Sequence, residues 1–228
     1  MNYLPIAFPF FFLLAGIVTL LIVLIQVRVL HFIYTRLGLS PVAVIMLLCG
    51  SLFGSYVNIP VWSLGEQEVV SGRVIDYYGM RYIVPVVVDW PQTIIAINVG
   101  GALIPTMLSL YLLSSRQLWG QGIVATAIVA AACHAIATPV PGLGIAIPGF
   151  VPPIVTALAA IIVSRLDAPA VAYISGSLGT LIGADLLNLG KVQGLGAPIV
   201  SIGGAGTFDG VFLTGIVAVL LASLWPRR

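Results

Sequence analysis

From Leu4 to Trp225 the chain is cut into seven apolar stretches, each long enough to cross a bilayer as a helix. They fall near Leu4–Val27, Pro41–Leu64, Gln92–Ser114, Gln121–Val140, Pro148–Ser164, Pro169–Asn188 and Ile199–Trp225. Little is left between them to clothe a water-facing surface. Charged residues make up 7% of the 228 and hydrophobic ones 60%, whereas a soluble domain is about a quarter charged. The mean hydropathy of +1.17 also excludes a disordered chain, which needs low hydrophobicity and high charge. The expected fold class is an all-α integral membrane protein, a seven-transmembrane helix bundle forming a single domain over residues 1–228. A net charge of +2 is too small for a nucleic-acid interface. The expected partners are the lipid bilayer and a membrane-embedded peptide or small solute, with no nucleic acid.

The first stretch has no basic residue before it and no clear small-residue cleavage site, so it reads as a retained helix rather than a signal peptide. Arg28 and Arg36 follow the first stretch, Arg116 the third, Arg165 the fifth, and Arg227 and Arg228 the seventh. With seven crossings these six share one side, and Arg73, Arg81 and Lys191 lie on the other. Positive residues stay cytoplasmic. The N-terminus is therefore expected outside and the C-terminus inside, in the plasma (inner) membrane. Cys49 and Cys133 sit in different stretches, with no CxxC or Cys/His cluster. They read as small buried hydrophobes, and no metal and no cofactor is expected.

Two connections on the outer side are unusual. Residues 65–91 are rich in β-branched and aromatic residues, with Gly79 at a plausible turn. They read as an outer β-hairpin insertion, in which Pro85 confines the second strand to an edge or shortens it. Residues 139–153 carry no charge at all. Such a segment suits a loop that dips back into the bundle, where protein or a cavity covers its backbone. There is also an internal echo. Gly50-Ser51-Leu52-Phe53-Gly54-Ser55 in the second stretch parallels Gly179-Thr180-Leu181-Ile182-Gly183-Ala184 in the sixth, and Gly100-Gly101-Ala102 parallels Gly203-Gly204-Ala205. This suggests a 3+1+3 plan of parallel repeats, although helix interfaces converge on small residues in any case.

Ionisable and amide side chains inside a membrane are costly and mark function by default. Counted at about 1.5 Å per residue from the cytoplasmic end, Asp185, Asp209, Asn98, His134 and Asn58 come out at one level in the outer part of the membrane. Asp89 and Asn188 come just above it. Asp185 and Asp209 stand on consecutive antiparallel stretches. Two carboxylates close together in a low dielectric cannot both ionise cheaply, so the pair can serve as acid and base at one pH. The pair can activate water, or bind and release a proton or cation. Each aspartate can equally finish a helix end. Asp209 follows Gly206-Thr207-Phe208 at the start of the seventh stretch, and Asp185 lies one turn before Asn188-Leu189-Gly190. His134, among alanines, reads as a hydrogen-bonded core histidine or as a group that orients a substrate. The run Gly203-Gly204-Ala205-Gly206 should break the start of the seventh stretch and leave free backbone donors near a carboxylate.

Gly-Ala-Asp185, followed by Gly-Gly-Ala-Gly-Thr-Phe-Asp209-Gly, resembles the signature region of an uncharacterised family of bacterial and archaeal multi-pass membrane proteins, a domain of unknown function. The same region is similar to the intramembrane aspartyl proteases of the presenilin and prepilin-peptidase kind. These place one aspartate on each of two adjacent helices, the second after a Gly-x-Gly element. Here Gly204-Ala205-Gly206 is followed by Thr207 and Phe208 before Asp209. That resemblance implies an intramembrane aspartyl-type hydrolase with Asp185 and Asp209 catalytic. Asn98, His134, Asn188, Asn58 and Asp89 are the candidate substrate-binding groups. The span plan also resembles small sugar transporters built from two triple-helix bundles. In the alternative reading the same polar layer is the site of a proton- or cation-coupled small-solute transporter. The echo places Tyr56 and Thr106 where the second copy has the two aspartates, an asymmetry that favours the hydrolase.

Overall fold

The computed structural model describes residues 16, 19, 27–29, 31–65, 67–77, 80–90, 92–140, 144–192, 197–204 and 210–224. Most of the first expected crossing lies outside these. Residues 31–36 are helical and lead through a turn at Gly38 into α1, Pro41–Gly54. Ser40 caps α1 by accepting the Ala43 N–H at 3.3 Å, and Pro41 occupies the first turn, where its missing donor costs nothing. The helix stops at Gly54, well short of Leu64. The chain continues as β1 (Asn58–Leu64), β2 (Gln67–Tyr77), β3 (Met80–Trp90) and β4 (Thr93–Asn98).

The third stretch is therefore a strand before it is a helix. It becomes helical through a π-helical turn at Val99–Leu103 and runs on as α2, Ile104–Ser115. The fourth stretch is α3 (Trp119–Ile136), followed by the short strands β5 (Thr138–Val140) and β6 (Gly144–Ala146). Then come α4 (Val151–Val163) and α5 (Ala168–Thr180), the latter prolonged by a π turn at Leu181–Asp185 and a 3-10 turn at Leu186–Lys191. The seventh stretch begins as β7 (Ile199–Ile202) and resumes as α6 (Gly210–Ser223). The physical reason for these corrections is common to all. A continuous apolar run has no periodicity to tell a buried strand from a buried helix. Thr93-Ile94-Ile95 and Ile199-Val200 are β-branched runs that favour the extended form.

Among the described residues, two helical segments are long and apolar enough to cross a membrane, Trp119–Ile136 and Ala168–Lys191. The chain is mostly helical, with a small sheet of order β1-β4-β7. β4 lies in the centre, antiparallel to β1 with Asn58 opposite Asn98, and parallel to β7 with Ile97 opposite Ile202. β2 and β3 form a separate antiparallel hairpin from Gln67–Trp90 to Tyr77–Met80, with Pro85 opposite Gly72. Pro85 does not shorten its strand. A two-stranded ladder has only edges, which is where proline is tolerated.

Among the described residues packing forms three clusters, the smallest of them Val129, Cys133, Ala159 and Ala184. Tyr34, Leu37, Leu112, Val171, Ile174 and Val219 centre the main apolar core, with the Tyr34 and Tyr173 rings 6.2 Å apart. Ala102, Leu181, Ile202 and Val211 form a smaller core under the sheet. Small residues set the helix spacing. A Cβ on Gly176 would stand 3.1 Å from the Gly215 Cα, so the α5 and α6 backbones nearly touch.

Three chain turns meet at Arg116. Its guanidinium donates to the Leu37 carbonyl at 2.8 Å and reaches Asp167 at 3.5 Å. The carbonyl bond is the larger contributor, because the ion pair is partly exposed and long. Arg116→Ala should therefore lower stability by about 1–2 kcal/mol and Asp167→Ala by less than about 1 kcal/mol, read from thermal unfolding in detergent.

Candidate functional site

A cavity of about 460 Å³ lies where the far end of α5, strand β7 and the β5–β6 hairpin come together. The end of α5 is shaped by Gly183. A Cβ there would run into the Ala130 carbonyl oxygen on α3 and stand 2.8 Å from the Ala130 Cα. Only glycine permits this approach, and the helix widens to a π turn across it. It tightens to a 3-10 turn immediately after Asp185, so this aspartate sits at a change of helix type. Such irregular turns are frequent at functional sites.

Asp185 lines the cavity together with Thr180, Ser201 and Gly204. Its Oδ2 accepts the Gly203 N–H at 2.7 Å. Among the described residues Oδ1 has no donor, and no basic side chain pairs with the carboxylate. The donor that the glycine run leads one to expect is thus present, with Asp185 as its acceptor. The rest of the wall is mainly apolar, including Ile145 and Ile147 from the uncharged segment and Ile199, Ile202 and Val211.

Gly203 is fixed by its own geometry. Ser201 to Gly204 form a turn in which the Gly204 N–H bonds the Ser201 carbonyl at 3.1 Å. Gly203 occupies the third position at φ +86°, where a side chain is disfavoured. A Cβ on Gly203 would stand 2.6 Å from the Ala102 nitrogen. The two Gly-Gly-Ala segments of the internal echo therefore meet, each following one of two paired parallel strands.

Beneath the turn lies a polar knot. Asn98 is 1% exposed. Its Nδ2 donates to the Ser55 carbonyl at 2.8 Å and to Asn58 Oδ1 at 3.1 Å, while its Oδ1 accepts the Gly101 N–H at 2.8 Å. Ser201 Oγ lies 2.6 Å from Asn58 Oδ1. Asn98→Ala should destabilise the protein by about 2 kcal/mol, because it leaves buried partners unpaired. The loss should appear as a lower melting temperature in detergent, with no dependence on added ligand.

The seven site residues expected from sequence separate as follows. Asn58 and Asn98 do meet, but at strand ends, where a helical rise does not apply. Asp185 faces the cavity one turn away, through Gly203. Asn188 is fully buried and turned to its own helix, its Nδ2 donating to the Gly183 and Ala184 carbonyls at 2.9 Å each. It steadies the π turn rather than lining the cavity. His134 Nδ1 is buried without a partner among the described residues, and His134 does not line the cavity. Asp89 stands opposite Glu68 in the hairpin ladder. Asp209 lies outside the described residues, and with it the proposed carboxylate pair. Among the described residues no three His, Cys, Asp or Glu side chains gather to hold a metal. The residues that sequence reasoning missed are Ser201 and Ile145–Ile147. A lone serine in a β-branched run ending in Gly-Gly is the only signal that marks the first.

A family model matches residues 52–221, and its description is protein of unknown function (DUF1614). No curated protein and no solved structure matches the chain at a significant level.

Proposed function

The chain belongs to this family of unknown function, and from that premise we propose that it is a polytopic membrane protein whose Asp185 cavity binds a small solute or cation for passage across the bilayer. One observation carries the reading. A carboxylate with no basic partner among the described residues faces a cavity walled by a helix that changes type at that aspartate, a strand end and a hairpin. Non-helical backbone at membrane depth is tolerated where it lines a cavity.

Membrane embedding is supported by what faces outward. Ile154, Leu158 and Ile162 form a stripe along α4, with Ile162 80% exposed, and such a stripe calls for an apolar cover. The seven-crossing plan is supported by where the connections gather. Arg116 ties the turns at Leu37 and Asp167 to its own, joining the connections before α1, after α2 and before α5. The sheet and cavity gather the alternate connections, β1, β4, β6 and β7. In this arrangement α1, α4 and α6, of 14, 13 and 14 residues, rise about 20 Å each. The strands complete the outer half. In this reading the positive-inside rule puts the N-terminus outside and the C-terminus in the cytoplasm.

The second reading, an aspartyl-type hydrolase acting on a membrane-embedded peptide, is favoured by one feature. Asp209 directly precedes Gly210, and Gly210 lines the Asp185 cavity. Reconstitution separates the two. Proteoliposomes of the full chain should show solute flux that depends on pH or on a cation gradient. Cleavage of a membrane-tethered peptide without flux across a broad solute panel would replace transport with hydrolysis.

A further inference from the structure

We propose that the turn Ser201–Gly204, with Asn58 and Asp185, forms a binding site for a monovalent cation of sodium size; this rests on reading the cavity as a ligand site. Ser201 Oγ stands 2.6 Å from Asn58 Oδ1 and 2.7 Å from the Gly204 carbonyl oxygen. Both neighbours are acceptors, and a hydroxyl has one hydrogen. Turning the Asn58 amide over does not help, because its Nδ2 would then face Asn98 Nδ2 at 3.1 Å. Asn98 cannot turn in response. Its Oδ1 is held by the Gly101 N–H and its Nδ2 by the Ser55 carbonyl. One of the two short oxygen–oxygen contacts therefore lacks a hydrogen. A positive ion beside Ser201 Oγ, Asn58 Oδ1 and the Gly204 oxygen resolves the conflict.

A second observation comes from the cavity wall, which includes Ser201 and Gly204 but not Asn58. Asp185 lines the same cavity as Ser201 and Gly204, and one of its oxygens is left without a donor among the described residues. A carboxylate against Ile147, Ile199, Ile202 and Val211 is neutralised by a proton or by a bound cation, and a cation there keeps it ionised. The donor set consists of oxygens alone, which suits a hard cation and not a transition metal. One carboxylate with three neutral oxygens balances a single positive charge and leaves a divalent ion half-compensated. The ion would join Asn58 of β1 to Asp185 at the end of α5, and so tie the first half of the chain to the second.

The test uses the full chain in detergent or nanodiscs. Its unfolding temperature is followed against NaCl, KCl or LiCl, with choline chloride holding the ionic strength constant. Sodium should raise it saturably above choline. Ser201→Ala should weaken the apparent sodium affinity at least about tenfold, the loss of one good ligand contact, and Ser201→Thr, which keeps the hydroxyl, should retain it. Asp185→Asn gives an independent reading, because it keeps the Gly203 hydrogen bond and removes the charge. Equal responses to sodium and choline, or a full sodium response in Ser201→Ala or Asp185→Asn, overturn the ion site. Solute flux indifferent to sodium also overturns it and leaves the cavity reading standing. Sodium stabilisation without any solute flux supports the ion site and sinks the transport reading.

Discussion

Exchanging Asp185 for asparagine should leave the protein folded and reduce flux through proteoliposomes at least about tenfold, the equivalent of one charge-assisted contact. The substitution is nearly isosteric. An asparagine oxygen can still accept the Gly203 N–H that Oδ2 accepts at 2.7 Å. The charge goes, and with it the cost of holding a carboxylate against an apolar wall. Thermal stability should therefore stay within about 1 kcal/mol of wild type or rise. Asp185→Ala behaves differently in stability. It leaves the Gly203 N–H without an acceptor at a part-buried position, at a cost of about 1–3 kcal/mol. The contrast separates the charge from the hydrogen bond. If Asp185 only steadied the Gly203 turn, Asp185→Asn would preserve flux. If it holds the ligand, Asp185→Asn removes flux while the fold persists.

The largest expected loss of stability is at Gly203. Gly203→Val should cost about 2–5 kcal/mol, from two sources. A non-glycine residue at φ +86° pays about 1–2 kcal/mol, more when β-branched. Its Cβ would also stand 2.6 Å from the Ala102 nitrogen and 2.7 Å from the Gly101 carbonyl carbon, an overpacking of backbone against backbone that costs about 1–3 kcal/mol or more. No flexible side chain is there to give way. The π turn at Val99–Leu103 and the end of β7 must separate, and the Asp185 hydrogen bond separates with them. The expected result is a large fall in folded yield on gel filtration and loss of any ligand-dependent stabilisation. Recovery of a folded, ligand-responsive Gly203→Val protein would show that the close contact of the two Gly-Gly-Ala segments is dispensable.

The sequence shows which segments are apolar because composition alone decides that. It shows poorly where each segment stops being helical. Thr93–Asn98 and Ile199–Ile202 are as hydrophobic as the helices they precede, and only their β-branched density sets them apart. The hairpin at 67–90 is legible because alternating β-formers flank a turn residue. The uncharged segment contributes only Ile145–Ile147, half-buried, to the cavity wall, while Pro148–Phe150 are exposed, and its two short strands could not be seen, since β5 and β6 are three residues each. Asp185 is conspicuous as an ionisable residue in an apolar run. Ser201 is not, because its role depends on Asn58, 143 positions away in sequence. Asn188 shows the opposite error. It looks like a member of a polar layer, and the structure turns it onto the carbonyls of its own helix. Asn58 and Asn98 share a level, as counted, but through strand pairing rather than a helical rise of about 1.5 Å per residue.

A sodium ion is expected at the Asp185 carboxylate. Infrared difference spectroscopy of the reconstituted protein, comparing sodium with choline at fixed pH, tests it most directly. The account predicts a carboxylate band that changes on exchange of the cation and is missing in Asp185→Asn. An unchanged carboxylate region in the wild type, or the same difference band in Asp185→Asn, would contradict it.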